Sequence, residues 1–207
     1  AAGVLLVNRM PGMALPLSVA GVFLLACGAG ALNQYQERHI DALMPRTAGR
    51  PLPAGRIVPR RALNFALILI VGGLAVLSLT GRPGAPLLGL GAVLWYNGFY
   101  VWLKSRSAFA AIPGALAGAA PPAIGWVAGG GSLTDPPHMA LCLYFFLWQA
   151  SHFFVHASAY GKEAERIGRP SLTAVFQRVQ LDRIAFQWLL AAGVSLQLFV
   201  ASGPVRL

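Results

Sequence analysis

Long apolar segments dominate this chain and limit what it can fold into. A bilayer core needs about 20 consecutive apolar residues in a helix, and six segments of the chain meet that requirement. They run over 11–36, 62–80, 84–103, 108–130, 138–160 and 183–203. Lipid cannot satisfy open backbone groups, so helices are the form expected for these spans. The sequence therefore predicts an all-α bundle of membrane-spanning helices.

The charge content supports the same class of protein. Only 11% of the residues are charged and 57% are hydrophobic, whereas a soluble domain carries about 25% charged residues. The net charge of +10 would suit a nucleic-acid-binding protein, but the basic residues lie in short loops between apolar spans. We therefore predict an integral membrane protein that contacts the lipid bilayer and binds no nucleic acid.

The basic residues also predict how the chain crosses the bilayer. Thirteen of the 16 Lys and Arg lie in the loops 37–61, 104–107 and 161–182 or at Arg183. The remaining three are Arg9, Arg82 and Arg206. Because short cytoplasmic loops are enriched in Lys and Arg, we expect the three basic loops to face the cytoplasm. Five of the six acidic residues lie on the same side, which a topology signal does not explain.

One of these acidic regions has a regular spacing, in the stretch NQYQERHIDALMPRTAGRPLP (33–53). Asn33, Glu37 and Asp41 are each four residues apart, so on a helix their side chains form one slanted stripe. Carboxylate and amide oxygens suit Mg²⁺, which is often shared with substrate phosphates, and guanidinium groups such as those of Arg46 and Arg50 match phosphate oxygens. The pattern is consistent with a metal-bridged diphosphate. The alternative is a solvated helix end whose surface ion pairs contribute about 0–1 kcal/mol each.

The whole stretch resembles the first Asp-rich motif of the UbiA-type intramembrane prenyltransferases, which reads N-x-x-x-D/E-x-x-x-D followed by R-T-x-x-R-P-L. Two further regions are similar to the heme-farnesylating branch of that family, the heme O synthases. They are YVWLKSRS (100–107) with GALAGAAPPAIGW (114–126), and LWQASHFF (147–154), in which Ser151 replaces the usual Pro. The resemblance extends from the first residues to about Leu172 and more loosely to the end.

The resemblance implies a role for eight residues. Asn33, Glu37, Asp41 and Glu163 are expected to be catalytic and to hold Mg²⁺ against the diphosphate of farnesyl diphosphate. Arg46, Arg50 and Lys104 are expected to neutralise the leaving group, and His152 matches a histidine of the family. The acceptor implied is a vinyl group of protoheme IX, which gives heme O. The expected location is the bacterial inner membrane, with the site loops on the cytoplasmic side.

Three departures keep other interpretations open. In YGKEAERIGRPSL (160–172), Glu163 stands where the branch has Asp, and Ala164 replaces Tyr. An Asn common after the central Lys-Arg pair is replaced by Ala110. Family members have about nine spans, so we expect 1–207 to be one domain, incomplete at both ends, with AAGVLLVNR as the tail of a further span. A quinone-ring or chlorin acceptor and a non-catalytic membrane paralogue are the alternatives. A transporter is disfavoured, because transporters tend to carry charges at mid-bilayer.

Histidines and aromatic residues suggest further contacts. His152 and His156 are four residues apart and would share a helical face, where they would bind a metal or heme iron or be satisfied by neighbouring backbone. The aromatic residues of the same span would line a prenyl tunnel or pack in the core; they are Tyr144, Phe145, Phe146 and Trp148. The aromatic residues near the end of the third span predict an interfacial belt, with a wall of the substrate site as the alternative; they are Trp95, Tyr96, Tyr100 and Trp102.

Overall fold

The computed structural model describes residues 2–7 and 12–201, and within these ranges it contains helices and no strands. Arg9 and Arg206, which were expected on the side of the membrane with few basic residues, lie outside the described residues. The α-helices in chain order are α1 Ala2–Val7, α2 Ala14–Asp41, α3 Pro45–Ala48, α4 Pro59–Ser78, α5 Gly84–Val93, α6 Val101–Leu103, α7 Ala111–Ala115, α8 Ala120–Ala128, α9 Pro136–Arg166 and α10 Arg178–Ala201. The predicted all-α class is confirmed.

Five helical segments of the described chain are long and apolar enough to cross a membrane: α2, α4, Ala108–Ala128, α9 and α10. They correspond to five of the six predicted spans. The remaining segment, 84–103, is helical throughout, but it is not among the five. It carries polar groups on Trp95, Tyr96 and Asn97, which lower its apolar character. The first span is also longer than predicted, because α2 continues through its polar end to Asp41.

Two antiparallel helix pairs frame the bundle. In the first pair, α2 and α4 approach closely at glycines: a Cβ on Gly28 would lie 3.0 Å from the Ala66 carbonyl oxygen, and one on Gly73 would lie 2.9 Å from the Gly21 carbonyl oxygen. Small residues of this kind permit close packing of membrane helices. The second pair is α9 and α10, in which the Ser151 hydroxyl donates to the Ala185 carbonyl oxygen over 2.9 Å.

A shared apolar core joins the first pair to the central helices. Its buried members come from α1, α2, α4, α5 and α8 and are Val4, Leu25, Ile70, Leu77, Ala85, Val93, Ile124 and Ala128. Helix α1 packs tightly here, since a Cβ on Gly3 would lie 2.6 Å from the Pro122 carbonyl oxygen. The segment AAGVLLVNR is thus helical over its described part and contacts α8.

Between α5 and α6, residues Leu94–Tyr100 form a π-helical segment. Such segments are rare and frequent at functional sites. Here the segment is tied to α2 because Asn97, which is buried, donates to the Ala29 carbonyl oxygen over 3.0 Å and to Gln36 Oε1 over 3.1 Å. Gln36 returns a bond to the Asn97 carbonyl oxygen over 2.9 Å. This double link fixes the register of the segment that leads to Lys104 against the acidic end of α2.

Candidate active site

The acidic stripe of α2 lies at the end of the bundle where the basic loops converge. Asp41 is the last residue of α2, and 5% of its surface is exposed. Its carboxylate accepts a hydrogen bond from Arg50 over 2.8 Å. Thr47 donates to the Asp41 carbonyl oxygen over 2.8 Å, which satisfies one of the orphan carbonyls of the helix end. The loop 42–58 therefore folds back so that Arg50 neutralises Asp41.

One turn earlier, Glu37 is held by two cations. Its Oε1 accepts from Arg169 over 2.8 Å, and its Oε2 accepts from the Lys104 ammonium. Lys104 also donates to Asn33 Oδ1 over 3.1 Å. The side chains of Glu37, Lys104 and Arg169 are 12%, 19% and 17% exposed. Removing one partner of a buried pair costs about 3–5 kcal/mol, so these contacts fix the carboxylate in place.

The third carboxylate comes from α9. Glu163 Oε2 lies 4.0 Å from Arg46 Nε, and the Arg46 guanidinium lies over the ring of Tyr160 at 4.7 Å from its centroid. The same Oε2 atom is buried and has no hydrogen-bond partner among the described residues. A buried polar oxygen without a hydrogen bond is costly, so this atom is suited to receive a ligand.

A cavity of about 190 Å³ lies among these groups. Its wall includes Arg46, Lys104, Tyr100, His156 and Tyr160. The pKa of Lys104 is lowered from 10.5, mainly by burial and against the opposing effect of Glu37. The cavity is thus lined by cations that are paired with carboxylates. This arrangement suits an anionic ligand that binds together with a metal cation.

A second, larger cavity of about 690 Å³ opens among the apolar helices. It shares Phe153 with the charged cavity. Tyr96 lines the large cavity and Tyr100 lines the charged one, and their rings stack with centroids 5.5 Å apart. Tyr100 also contacts Phe153 at 5.7 Å between centroids. The two cavities therefore adjoin at a group of contacting aromatic rings, which places an apolar chamber next to a site for charge.

The interpretation of two of these aromatic residues changes. Tyr96 and Tyr100 were expected in an interfacial belt, but the π-helical segment directs them at the two cavities. Of the aromatic residues considered for a prenyl tunnel, Phe145 and Trp148 line the large cavity.

Helix α9 carries a row of flat rings four residues apart: Trp148, His152, His156 and Tyr160. Trp148 and His152 are nearly parallel, with an interplanar angle of 10° and centroids 5.9 Å apart. His156 and Tyr160 have centroids 4.9 Å apart. Both histidines are exposed. This ring row connects the large cavity, lined by Trp148, to the charged cavity, lined by His156 and Tyr160.

Seven of the eight residues singled out in the sequence come together at this end of the bundle. They are Asn33, Glu37, Asp41, Arg46, Arg50, Lys104 and Glu163. His152 lies apart from them, deeper along α9, where it contacts Trp148 and Phe153. Two participants were missed. Arg169 was counted only as a topology signal; its Gly-Arg-Pro context matches that of Arg50, but Arg82 has the same context and the motif alone does not single it out. Asn97 has a signal too, as a polar residue inside an apolar span, which is commonly functional or structural.

The oxygen donors were expected to hold Mg²⁺. Within residues 2–7 and 12–201, no group of three or more His, Cys, Asp or Glu is gathered closely enough to hold a metal ion. The available donors fit the ion chemically, since Asn33, Glu37, Asp41 and Glu163 offer only oxygens, which Mg²⁺ prefers. The buried, unbonded Glu163 Oε2 is a free donor of this kind. The four-residue metal site stays a prediction.

Known proteins resemble this chain over most of its length. A protoheme IX farnesyltransferase of Nitratidesulfovibrio vulgaris is 44% identical over 153 residues, which are 74% of this chain and 53% of that protein. One of Geobacter sulfurreducens is 40% identical over 90% of this chain and 69% of its own length. One of Salinispora tropica is 38% identical over 90% of this chain and 60% of its own length.

The chain spans about half the length of the first of these relatives, and no solved structure matches it. The profile that describes the UbiA prenyltransferase family matches residues 2–206, which is nearly the whole chain and includes all of the described helical bundle with its acidic and basic end. The chain therefore belongs to the UbiA prenyltransferase family.

Proposed function

We propose that this chain forms the catalytic part of a membrane prenyltransferase that transfers a farnesyl group from farnesyl diphosphate to a vinyl group of protoheme IX, giving heme O. The observation that carries the proposal is the junction of the two cavities. The charged cavity of about 190 Å³ adjoins an apolar cavity of about 690 Å³ across the Tyr96, Tyr100 and Phe153 rings. A prenyl diphosphate has the same division into a charged head and an apolar tail.

The charged residues act on the leaving diphosphate. Arg46, Arg50 and Lys104 donate hydrogen bonds to its oxygens and so stabilise the negative charge that develops as the carbon–oxygen bond breaks. Preorganised donors in a site sheltered from water are most effective in this role. The structural basis is that each of the three cations is already directed toward a carboxylate of the site.

Mg²⁺ would be held by Asn33, Glu37, Asp41 and Glu163. When bound, it supplies positive charge to the diphosphate oxygens. The carboxylates then have two tasks: they orient the cations before the donor arrives, and they hold the metal once it is bound. Glu163 approaches from α9, opposite the α2 stripe, so the diphosphate would lie between the two helices.

The apolar residues protect the allylic cation that remains after the diphosphate departs. The large cavity is lined by groups such as Val22, Phe145 and Phe153, which exclude water from the prenyl chain. The acceptor vinyl carbon attacks C1 of this cation, and water then adds to the resulting carbocation, which releases a proton and leaves a hydroxyethylfarnesyl substituent. The acceptor ring would lie along the ring row of α9. The site loops would face the cytoplasm of a bacterial inner membrane.

The proposal is tested by expressing the chain, together with any flanking sequence of its gene, in bacterial membranes that make no heme O. Farnesyl diphosphate and Mg²⁺ are added, and the extracted hemes are analysed by mass spectrometry. We expect farnesylated heme from the wild type and at least about 100-fold less from Asp41→Asn, because removal of a transition-state charge interaction costs about 10²–10³ in rate. Arg82→Gln, which lies in the connection before α5, is the control and should match the wild type.

Prenylation of a quinone ring or chlorin in place of heme would keep the enzyme class and reject the acceptor. Folded wild-type protein that prenylates none of these acceptors would reject the enzyme in favour of a non-catalytic paralogue.

A further inference from the structure

The tripeptide Gly-Arg-Pro occurs three times in this chain, at 49–51, 81–83 and 168–170. The arginines of the first and third copies each donate to a carboxylate of α2 over 2.8 Å: Arg50 to Asp41 and Arg169 to Glu37. The two carboxylates are four residues apart on one helical stripe. Two loops that are far apart in sequence therefore deliver the same group to adjacent positions of the site.

The second loop is held firmly against α9. Gly168 has φ +73°, a conformation that favours glycine, and the Arg169 amide bonds to the Ala164 carbonyl oxygen over 3.0 Å. A Cβ on Gly161 would lie 2.6 Å from both the Ser171 and Thr173 hydroxyl oxygens. The position of Arg169 is thus defined by backbone geometry and close packing, as expected for a group that must meet a ligand in a fixed place.

The charges around the stripe do not balance. Three carboxylates, on Glu37, Asp41 and Glu163, are paired with four cations, on Arg46, Arg50, Lys104 and Arg169. Glu37 is shared between Lys104 and Arg169, whereas the other two carboxylates have one ion-pair partner each among the described residues. Because unbalanced positive charge in a half-buried cluster is unfavourable without an anion, the cluster is suited to a negatively charged ligand.

We propose that Arg169 is a binding residue for the diphosphate of the prenyl donor and that Glu37 holds its guanidinium in place until the donor arrives. On binding, the guanidinium exchanges a carboxylate oxygen for phosphate oxygens, to which its planar fork is equally suited. The exchange leaves Glu37 Oε1 open to the cation that accompanies the donor. The inference rests on the proposed function. It implies that the donor's diphosphate is bound by cations from both the α2 side and the α9 side of the site.

The test is a binding measurement with the full chain in lipid nanodiscs. Farnesyl thiolodiphosphate, in which sulfur bridges carbon and phosphorus and slows reaction, is titrated into the protein in the presence of Mg²⁺, and binding is measured by calorimetry. Farnesol serves as the uncharged probe. For Arg169→Gln we expect an affinity for the diphosphate at least about tenfold weaker, as for loss of a bidentate charge-assisted contact, and an unchanged affinity for farnesol. Arg166→Gln, an exposed arginine on the last turn of α9, removes the same charge and should bind like the wild type.

The outcomes separate the inference from the proposed function. If Arg169→Gln binds the diphosphate with wild-type affinity, Arg169 has only a structural role and the inference is overturned. This holds whether or not the unfolding temperature of the variant is lower. Wild-type protein that binds no prenyl diphosphate would overturn the proposed function itself. If Arg169→Gln does not fold, Arg169→Lys replaces it. Lysine keeps the charge but loses the fork, so an affinity several-fold weaker supports the inference and a wild-type affinity rejects it.

Discussion

At the scale of single residues, each carboxylate of the site forms an ion pair. Glu37, Asp41 and Glu163 are paired with Arg169, Arg50 and Arg46, respectively. The pairing orients each carboxylate and its guanidinium without a ligand present.

Lys104 leads to a prediction about pH. Burial lowers its pKa from 10.5, with Glu37 opposing the shift, so the ammonium loses its proton at a lower pH than an ordinary lysine. Its bonds to Asn33 and Glu37 are then lost on the alkaline side while other lysines are still charged. We expect the rate of prenyl transfer to fall as the pH rises, with the fall beginning below pH 10.5. Lys104→Arg should extend activity to higher pH because guanidinium stays charged.

The measurement is the pH profile of initial rate for the two proteins, with Lys162→Arg as the matched control. Stability has the opposite sign: between the lowered pKa and 10.5 the unfolded chain binds more protons than the folded one, so the contribution of Lys104 to folding rises with pH. The titration of Lys104 would therefore not itself promote alkaline unfolding. Identical alkaline limbs in wild type and Lys104→Arg would contradict the assignment.

At the scale of an element, α9 combines two tasks along one face. Its last turns present Glu163 to Arg46, and its middle turns present the ring row Trp148, His152, His156 and Tyr160. A period of four residues on a helix drifts slowly around the axis, so the row forms a gently slanted strip of flat surface. A planar macrocycle would find both stacking partners and imidazole ligands on it.

The prediction for α9 concerns iron protoporphyrin IX binding. Replacing His152 by Ala should weaken binding by about tenfold and remove the absorbance shift that imidazole ligation gives to the Soret band, whereas metal-free protoporphyrin should bind as before. His39→Ala is the control, since His39 is an exposed histidine of α2. An unchanged spectrum in a His152→Ala/His156→Ala double variant would exclude the ring row as the acceptor surface.

The helices show where sequence reasoning succeeds and fails. The stripe on α2 was predictable because a helix converts a spacing of four into one face, and Arg50 follows only nine residues after Asp41. The contact between Glu37 and Arg169 spans 132 residues, and no local pattern encodes it. The π-helical segment was also missed, because its geometry depends on the bonds of Asn97 to α2 and not on a periodicity of its own.

At the scale of the whole molecule, the bundle separates a charged end from an apolar interior. The hairpin of α2 and α4 and the hairpin of α9 and α10 stand on either side of the central helices. The large cavity lies between α2, α8 and α9, and its lining includes Val22, Pro122 and Trp148. Its volume of about 690 Å³ is set by these helix separations, so the length of prenyl chain that fits it depends on packing and not on a local sequence pattern.

This cavity leads to a prediction about chain length. Val22→Phe adds a ring to the cavity wall, so it should lower kcat/KM for farnesyl diphosphate relative to geranyl diphosphate. The expected decrease is about tenfold, the change in kcat/KM that one or two methylenes cause in an apolar pocket. Val71→Phe makes the same change on α4, where 65% of the side chain is exposed, and should leave the ratio unchanged. The measurement is competition between the two donors. An unaltered ratio in Val22→Phe would place the prenyl chain elsewhere.

The long-range ion pair also bears on how the protein is made. Arg50 follows Asp41 by nine residues, Lys104 follows Glu37 by 67, and Arg169 follows Glu37 by 132. Chains are synthesised from the N-terminus at about 5–20 residues per second, so these contacts become possible in that order. The acidic helix has local partners as it leaves the ribosome, yet its last cation arrives only after α9 has been inserted. A chain truncated before residue 169 would thus leave the translation machinery with Glu37 lacking one of its two cations.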